Sequence, residues 1–147
     1  MKRQRGVVLL LALVLSLLLG LLAASALSDA LVETRMAGHL RDGLLALEEA
    51  EATLQAGEAE IKRAPPDPCF ACMPPARPHD LAGQWHSTQE GYFHLQNLGP
   101  STRAQATLFR ITAVSKQTQS RQVLEAVYAV ADDKMQRMAW RQRLRGD

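Results

Sequence analysis

Aromatic side chains are scarce in this 147-residue chain. Three Phe, two Tyr and two Trp make up 5% of positions, whereas 47% are hydrophobic. The apolar content is therefore aliphatic, chiefly Leu, Ala and Val, and no basic patch interleaved with aromatics offers a base-stacking groove for nucleic acid. Charge of one sign is lacking as well: a formal net charge of +2 and a pI near 8.7 exclude a general binder of polyanions. No phosphate-cradling glycine loop, nucleophile elbow or helical pair of metal-binding histidines occurs. His39, His79, His86 and His94 are scattered. With no catalytic constellation, the expectation is a protein that is not an enzyme and takes neither a cofactor nor a small-molecule substrate. The length allows one domain and its attachments.

Two further absences organise the chain. No charged residue occurs from Val7 to Ser28, and no proline precedes Pro65. A mean hydropathy of −0.13 for the whole chain means that the remainder is distinctly polar. Val7 to Leu27, interrupted only by Ser16, Gly20 and Ser25, covers about 30 Å as a helix, the thickness of a bilayer's hydrocarbon core. The basic stub Lys2-Arg3-Gln4-Arg5 places the N-terminus on the cytoplasmic side and the bulk of the chain outside. A secretory signal peptide is the competing reading, because Ala24-Ser25-Ala26 resembles a signal peptidase site. Against it, the run exceeds the usual apolar length of roughly 7–15 residues, and helix-forming residues continue past Ala26.

From Leu27 to Lys62 the pattern turns amphipathic. Ala30, Ala37, Leu40, Leu44, Leu47, Leu54 and Ile61 recur at helical spacing and form the expected buried stripe. Glu33, Arg35, Arg41, Asp42, Glu48, Glu49 and Glu58 lie largely off it. Gly38, Gly43 and Gly57 each cost about 1 kcal/mol relative to Ala; they either admit a close neighbour or permit bending. The outcome is one helix of about 55 residues, lipid-compatible in its first half and packed on one face in its second.

Ala64-Pro65-Pro66-Asp67-Pro68 ends that helix, since proline lacks the amide donor. The proline-rich stretch that follows reads as a surface loop and carries the only two cysteines, Cys69 and Cys72. Three readings compete for this CxxC pair: a thioredoxin-like dithiol, a zinc site recruiting His79 and His86, and a local disulfide in an oxidising compartment. The prolines and the absence of a βαβ pattern favour the loop-shaping disulfide, with no catalytic role.

After Trp85 the period becomes two. Tyr92 to Gln96 alternates, with Phe93 and Leu95 on one face and Gly99-Pro100 as the expected break. Thr107 to Val114 alternates with Phe109, Ile111 and Ala113 opposite Arg110 and Thr112. Gln122 to Val130 puts Leu124, Ala126, Tyr128 and Val130 together. These two segments form an antiparallel hairpin across a polar loop. Met138, Trp140 and Leu144 alternate with Arg141, Arg143 and Arg145, giving a final strand whose arginines face solvent or another subunit. The expected core sets Leu40, Leu44, Leu47 and Leu54 against Phe93, Leu95, Phe109, Ile111, Leu124 and Tyr128, in a sheet of three or four strands. On that packing Leu47→Ala costs about 2–5 kcal/mol. The fold class is α+β.

The first sixty residues resemble type IV pilins, and more narrowly the minor pilins of the PilX type. The resemblance rests on Arg5-Gly6-Val7-Val8, on Glu33-Thr34-Arg35-Met36-Ala37-Gly38-His39-Leu40-Arg41-Asp42, and on Ala46 to Glu58; Phe109 to Ala113 and Val123 to Glu125 are similar to the C-terminal sheet of those proteins. It implies a leader at 1–6, a membrane and assembly half of the helix at 7–28, and an amphipathic half at 29–63. A proline-rich loop with the CxxC at 64–84 and a sheet head at 85–147 follow. It implies cleavage between Gly6 and Val7 by a prepilin peptidase and N-methylation of Val7. Loss of Lys2, Arg3 and Arg5 takes the formal charge from +2 to about −1. Most major pilins have a glutamate as the fifth mature residue, which pairs with the terminal amine of a neighbour; here Leu11 stands there. A buried carboxylate is costly unless paired, so a subunit without it fits a place at or near the tip, where nothing sits above. Sparse incorporation along the fibre is the other reading of Leu11.

The resemblance thus implies an inner-membrane protein that passes into the pilus fibre and initiates assembly, supporting twitching motility or adhesion. Its implied partners are other minor pilins, the major pilin and the inner-membrane assembly platform, with a large tip adhesin as a further candidate. A minor pseudopilin of type II secretion and a periplasmic binding module released after Ala26 are the alternatives.

Overall fold

A computed structural model describes residues 2–69 and 72–145, with side chains from Gly6 onward. Helix α1 spans Lys2–Arg63, a 3₁₀ turn covers Pro78–Asp80, and five strands follow: β1 His86–Ser87, β2 Gly91–Ser101, β3 Ala106–Ser115, β4 Val123–Ala131 and β5 Lys134–Arg143. The chain divides into two units, residues up to Leu40 and residues from Arg41 onward. The first is a single apolar helix whose described side chains are all exposed. The second is α+β: the helical segment after Arg41 packs on a five-stranded antiparallel sheet in the order β1-β2-β3-β4-β5. Among the described residues one helix is long and apolar enough to cross a membrane.

α1 ends where the prolines begin. The Ala64 amide closes the last helical bond on Glu60 O at 2.8 Å, and Lys62 and Arg63 complement the negative helix terminus. The sheet is a plain meander. β4 and β5 are joined by Asp132-Asp133, both at positive φ, the two-residue geometry that matches the twist of paired strands.

The buried helix face differs from the expected stripe. Ala46, Ala50, Thr53, Leu54, Gly57 and Ile61 are buried, whereas Leu40 and Leu44 stay exposed and Leu47 is only half-buried. Small residues decide this. A Cβ on Gly57 would lie 2.7 Å from Ile111 Cγ2 and 3.5 Å from Phe93 Cδ2, so the helix approaches the sheet where its surface is thinnest. The seven-residue repeat of Leu40, Leu47 and Leu54 drifts about 20° per repeat around a straight helix, and only its C-terminal members reach the sheet. Leu47→Ala therefore costs less than the full core penalty, and Leu54, at 0% exposure, is the side chain that carries it.

On the sheet side Phe93, Phe109, Ile111, Ala113, Ala126 and Tyr128 complete this core. Gly99-Pro100 does not end β2. A bulge between Asn97 and Gly99 absorbs the irregularity, Gly99 takes φ +89°, and Asn97 Oδ1 accepts the Gly99 amide at 3.0 Å. Pro100 is tolerated because β1 pairs only with Tyr92 and Phe93, leaving that stretch of β2 an open edge. The fifth strand, β1, is two residues long, too short to be read from periodicity.

Candidate functional site

Gly6 and Val7, the expected processing junction, lie within α1, and Val7 is 60% exposed. Leu11 follows one turn later and is exposed likewise. Within this apolar segment the hydroxyls of Ser16 and Ser28 donate to Ala12 O and Ala24 O at 2.8 and 3.0 Å. Each is thereby satisfied inside its own helix, which is what a segment bathed in lipid or apolar helices requires.

The proline-rich segment is a strap laid on the sheet. Phe93, Ile111 and Tyr128 face the helix, so Gln96, Arg110, Thr112, Glu125, Arg141 and Arg143 face away from it. Four side chains of this polar layer and its flanking loop donate to strap carbonyls. Arg110 reaches Cys72 O at 3.1 Å, Gln96 reaches Met73 O at 2.8 Å, Arg143 reaches Pro75 O at 2.8 Å, and Arg121 reaches His79 O at 2.6 Å. At its start the strap runs beside Asn97, where Cys69 N donates to Asn97 O and Asn97 Nδ2 to Pro66 O, each at 2.8 Å. Thr112, on the face opposite Phe109, Ile111 and Ala113 as its alternation implies, is fully buried.

Cys69 and Cys72 form a disulfide. The zinc alternative is set aside, since both thiols are consumed by each other. His86 stacks on Phe93 with ring centroids 5.0 Å apart. His79 sits in the 3₁₀ turn, and its imidazole is held below its ordinary value of 6.5 by burial and by the nearby cations of Arg145, Arg143 and Arg121. Among the described residues no group of three or more His, Cys, Asp or Glu is placed to hold a metal.

The C-terminal arginines were expected to be solvated or to touch another subunit. Three of them pair within the chain instead. Arg137 binds Glu58 at 3.2 Å, Arg141 binds Glu125 at 2.7 Å, and Arg143 stands 3.8 Å from the other oxygen of Glu125. Tyr128, buried on the core face, donates to Glu58 and accepts from Arg137. Burial, then the carboxylate of Glu58, pushes its phenol well above the ordinary value of 10. Sequence reasoning missed this triad and the strap contacts. The signal available was that Arg110 interrupts a strand otherwise rich in aliphatic residues.

Two large apolar side chains of this unit are uncovered, one on the helix and one on the last strand. Leu44 is 59% exposed and Trp140 of β5 is 45% exposed. Trp140 pairs with Ala126, a core residue, and so stands on the helix side of the sheet. A shallow cavity of about 370 Å³ at the far end, lined by Ser101, Thr107, Val130 and Asp132 among others, gathers no convergent chemistry. Comparison of the chain with protein-family models, curated proteins and solved structures finds no match.

Proposed function

We propose that this chain is a minor pilin of a type IV pilus. It is inserted in the inner membrane with its N-terminus cytoplasmic, and initiates fibre assembly at or near the tip. One observation carries the reading: the apolar surface of α1 stays uncovered beyond the length that a membrane needs. Val7 to Leu27 already provides about 30 Å, yet Leu31, Val32, Met36, Leu40 and Leu44 follow, each more than half exposed. A plain anchor has no use for them, whereas a stem that leaves lipid and packs among other helices does. Continuation of α1 through Ala26 and Ser28 without a break supports the same reading over release by signal peptidase.

On this proposal a prepilin peptidase cuts between Gly6 and Val7, and Val7 offers its methylated amine to the glutamate of another subunit. Leu11 presents no carboxylate to a subunit above, which fits a terminal place. The chain acts by packing and not by catalysis, with other minor pilins, the major pilin and the inner-membrane platform as partners and a large adhesin as a candidate at the tip. Deletion of the gene tests it: surface pili and twitching are lost or sharply reduced, and complementation restores them. A deletion strain with normal numbers of pili removes the assembly role.

A further inference from the structure

We propose that the Cys69–Cys72 disulfide is a redox latch: its reduction releases the downstream half of the strap, Cys72 to Asp80, from the polar face of the sheet while the helix–sheet core stays folded. The inference concerns the second unit alone and stands apart from the pilin reading. The two halves of the strap are held differently. Upstream, just past the end of α1, three contacts converge on one residue of β2. Asn97 Nδ2 donates to Pro66 O, Cys69 N donates to Asn97 O, and Pro68 forms a parallel bridge with Asn97. Downstream, the carbonyls of Cys72, Met73, Pro75 and His79 each accept from a different side chain: Arg110, Gln96, Arg143 and Arg121. Apolar burial does little to hold this half. From Cys72 to Asp80 only Pro78 is buried, and Met73 is 83% exposed. Opening frees Gln96 and three guanidiniums from their strap carbonyls, and water takes the place of those carbonyls at small net cost. Little of the hydrophobic stabilisation of the core is lost, so the segment can open without the rest.

The disulfide joins the two halves. It ties Cys72, the first downstream contact, to Cys69, which is fixed on Asn97. Arg110 Nη1 donates to Gln96 Oε1 at 3.1 Å as well as to Cys72 O, so the latch, β2 and β3 form one network. The covalent tie removes conformations that the freed segment would otherwise gain, which favours the docked state. In the opening step the Sγ–Sγ bond breaks, two electrons and two protons come from a dithiol, which becomes a disulfide, and Cys69 and Cys72 are left as thiols. A disulfide oxidant reverses it. The chain has no other cysteine, so a dithiol has this one target. The redox poise around the protein thereby decides whether Gln96, Arg110 and Arg121 are engaged by the strap or presented to the surroundings.

The test measures spin-label distances in the full chain in detergent, with labels carried on keto amino acids so that the cysteines stay free to react. One pair joins the strap to the sheet, Ala76 with Thr102; a control pair joins α1 to β5, Ala59 with Lys134. All four positions are exposed. In the oxidised chain both pairs are expected to give one narrow distance. With dithiothreitol, the Ala76–Thr102 distance is expected to spread over about 10 Å, as for a short flexible segment, and the control pair to stay narrow. C69S with C72S is expected to reproduce the reduced pattern without reagent, and reoxidation of the parent chain to restore the narrow distance. A strap distance that stays narrow in the reduced chain and in the double variant overturns the latch. A strap distance already broad in the oxidised chain overturns it as well. Broadening of the control pair on reduction shows that the disulfide supports the core, and overturns the independence of the strap.

Discussion

Tyr128 on β4 donates its hydroxyl to Glu58 on α1 at 2.5 Å, and Arg137 on β5 closes the set from 3.1 Å. One polar contact thus joins the helix to two neighbouring strands at the edge of an otherwise apolar core. Arg137 also lies over the Tyr128 ring, 5.7 Å from its centroid. The arrangement fixes which face of the helix turns to the sheet, because a rotation of the helix would strand a buried phenol.

Tyr128→Phe keeps the ring and removes the hydroxyl. The expected loss is about 1.5–3 kcal/mol, the range for a hydrogen bond to a charged group, read by denaturant unfolding of the full chain in detergent. The pH dependence has a definite sign. The phenol titrates higher in the folded state than in the unfolded one, so its contribution is complete below the ordinary value of 10 and is lost as pH rises beyond it. Stability of the parent chain should fall above that point, and the Phe variant should lack this component.

Glycines on the same helix should respond in opposite directions. An added Cβ at Gly57 meets Ile111, whereas at Gly43 it meets nothing within 4 Å. Gly57→Ala is expected to destabilise by about 1–3 kcal/mol through overpacking, in spite of its helix propensity. Gly43→Ala is expected to stabilise by about 0.5–1 kcal/mol. Melting temperatures of the two variants, measured side by side, decide the matter.

His79 reports on the strap. Its imidazole is shifted down first by burial and then by Arg145, Arg143 and Arg121. Its contribution to holding the strap is present above the ordinary value of 6.5 and is lost as pH falls through the lowered folded midpoint. NMR titration should give a midpoint below 6.5, and Arg145→Gln should move it upward. A midpoint at or above 6.5 contradicts the placement of the strap.

Much of this architecture could be read in the residues. The end of α1 is written in Pro65 and Pro66. The β3–β4 hairpin is written in the alternation of Phe109, Ile111 and Ala113 and of Leu124, Ala126 and Tyr128. The disulfide follows from two cysteines three residues apart in a proline-rich loop. The buried helix face was misassigned because hydrophobic periodicity rewards large side chains, while contact with the sheet is made through Ala46, Ala50 and Gly57, which periodicity scarcely weighs. The strap contacts were missed for a related reason. Arg143 reads as facing solvent or another subunit and Arg110 only as lying opposite the apolar face, and nothing local announces that a segment some 38 or 68 residues away will lay its carbonyls across them. On the proposed function, Leu11 and the Gly6–Val7 junction act through other molecules, which a single chain does not display.

The central claim is that α1 leaves the membrane as a processed stem, and the mature N-terminus tests it most directly. Intact mass and N-terminal sequencing of the protein recovered from membranes and sheared fibres should give a chain beginning at N-methylated Val7. A chain beginning at Leu27, or one that keeps Lys2 to Gly6, would contradict it.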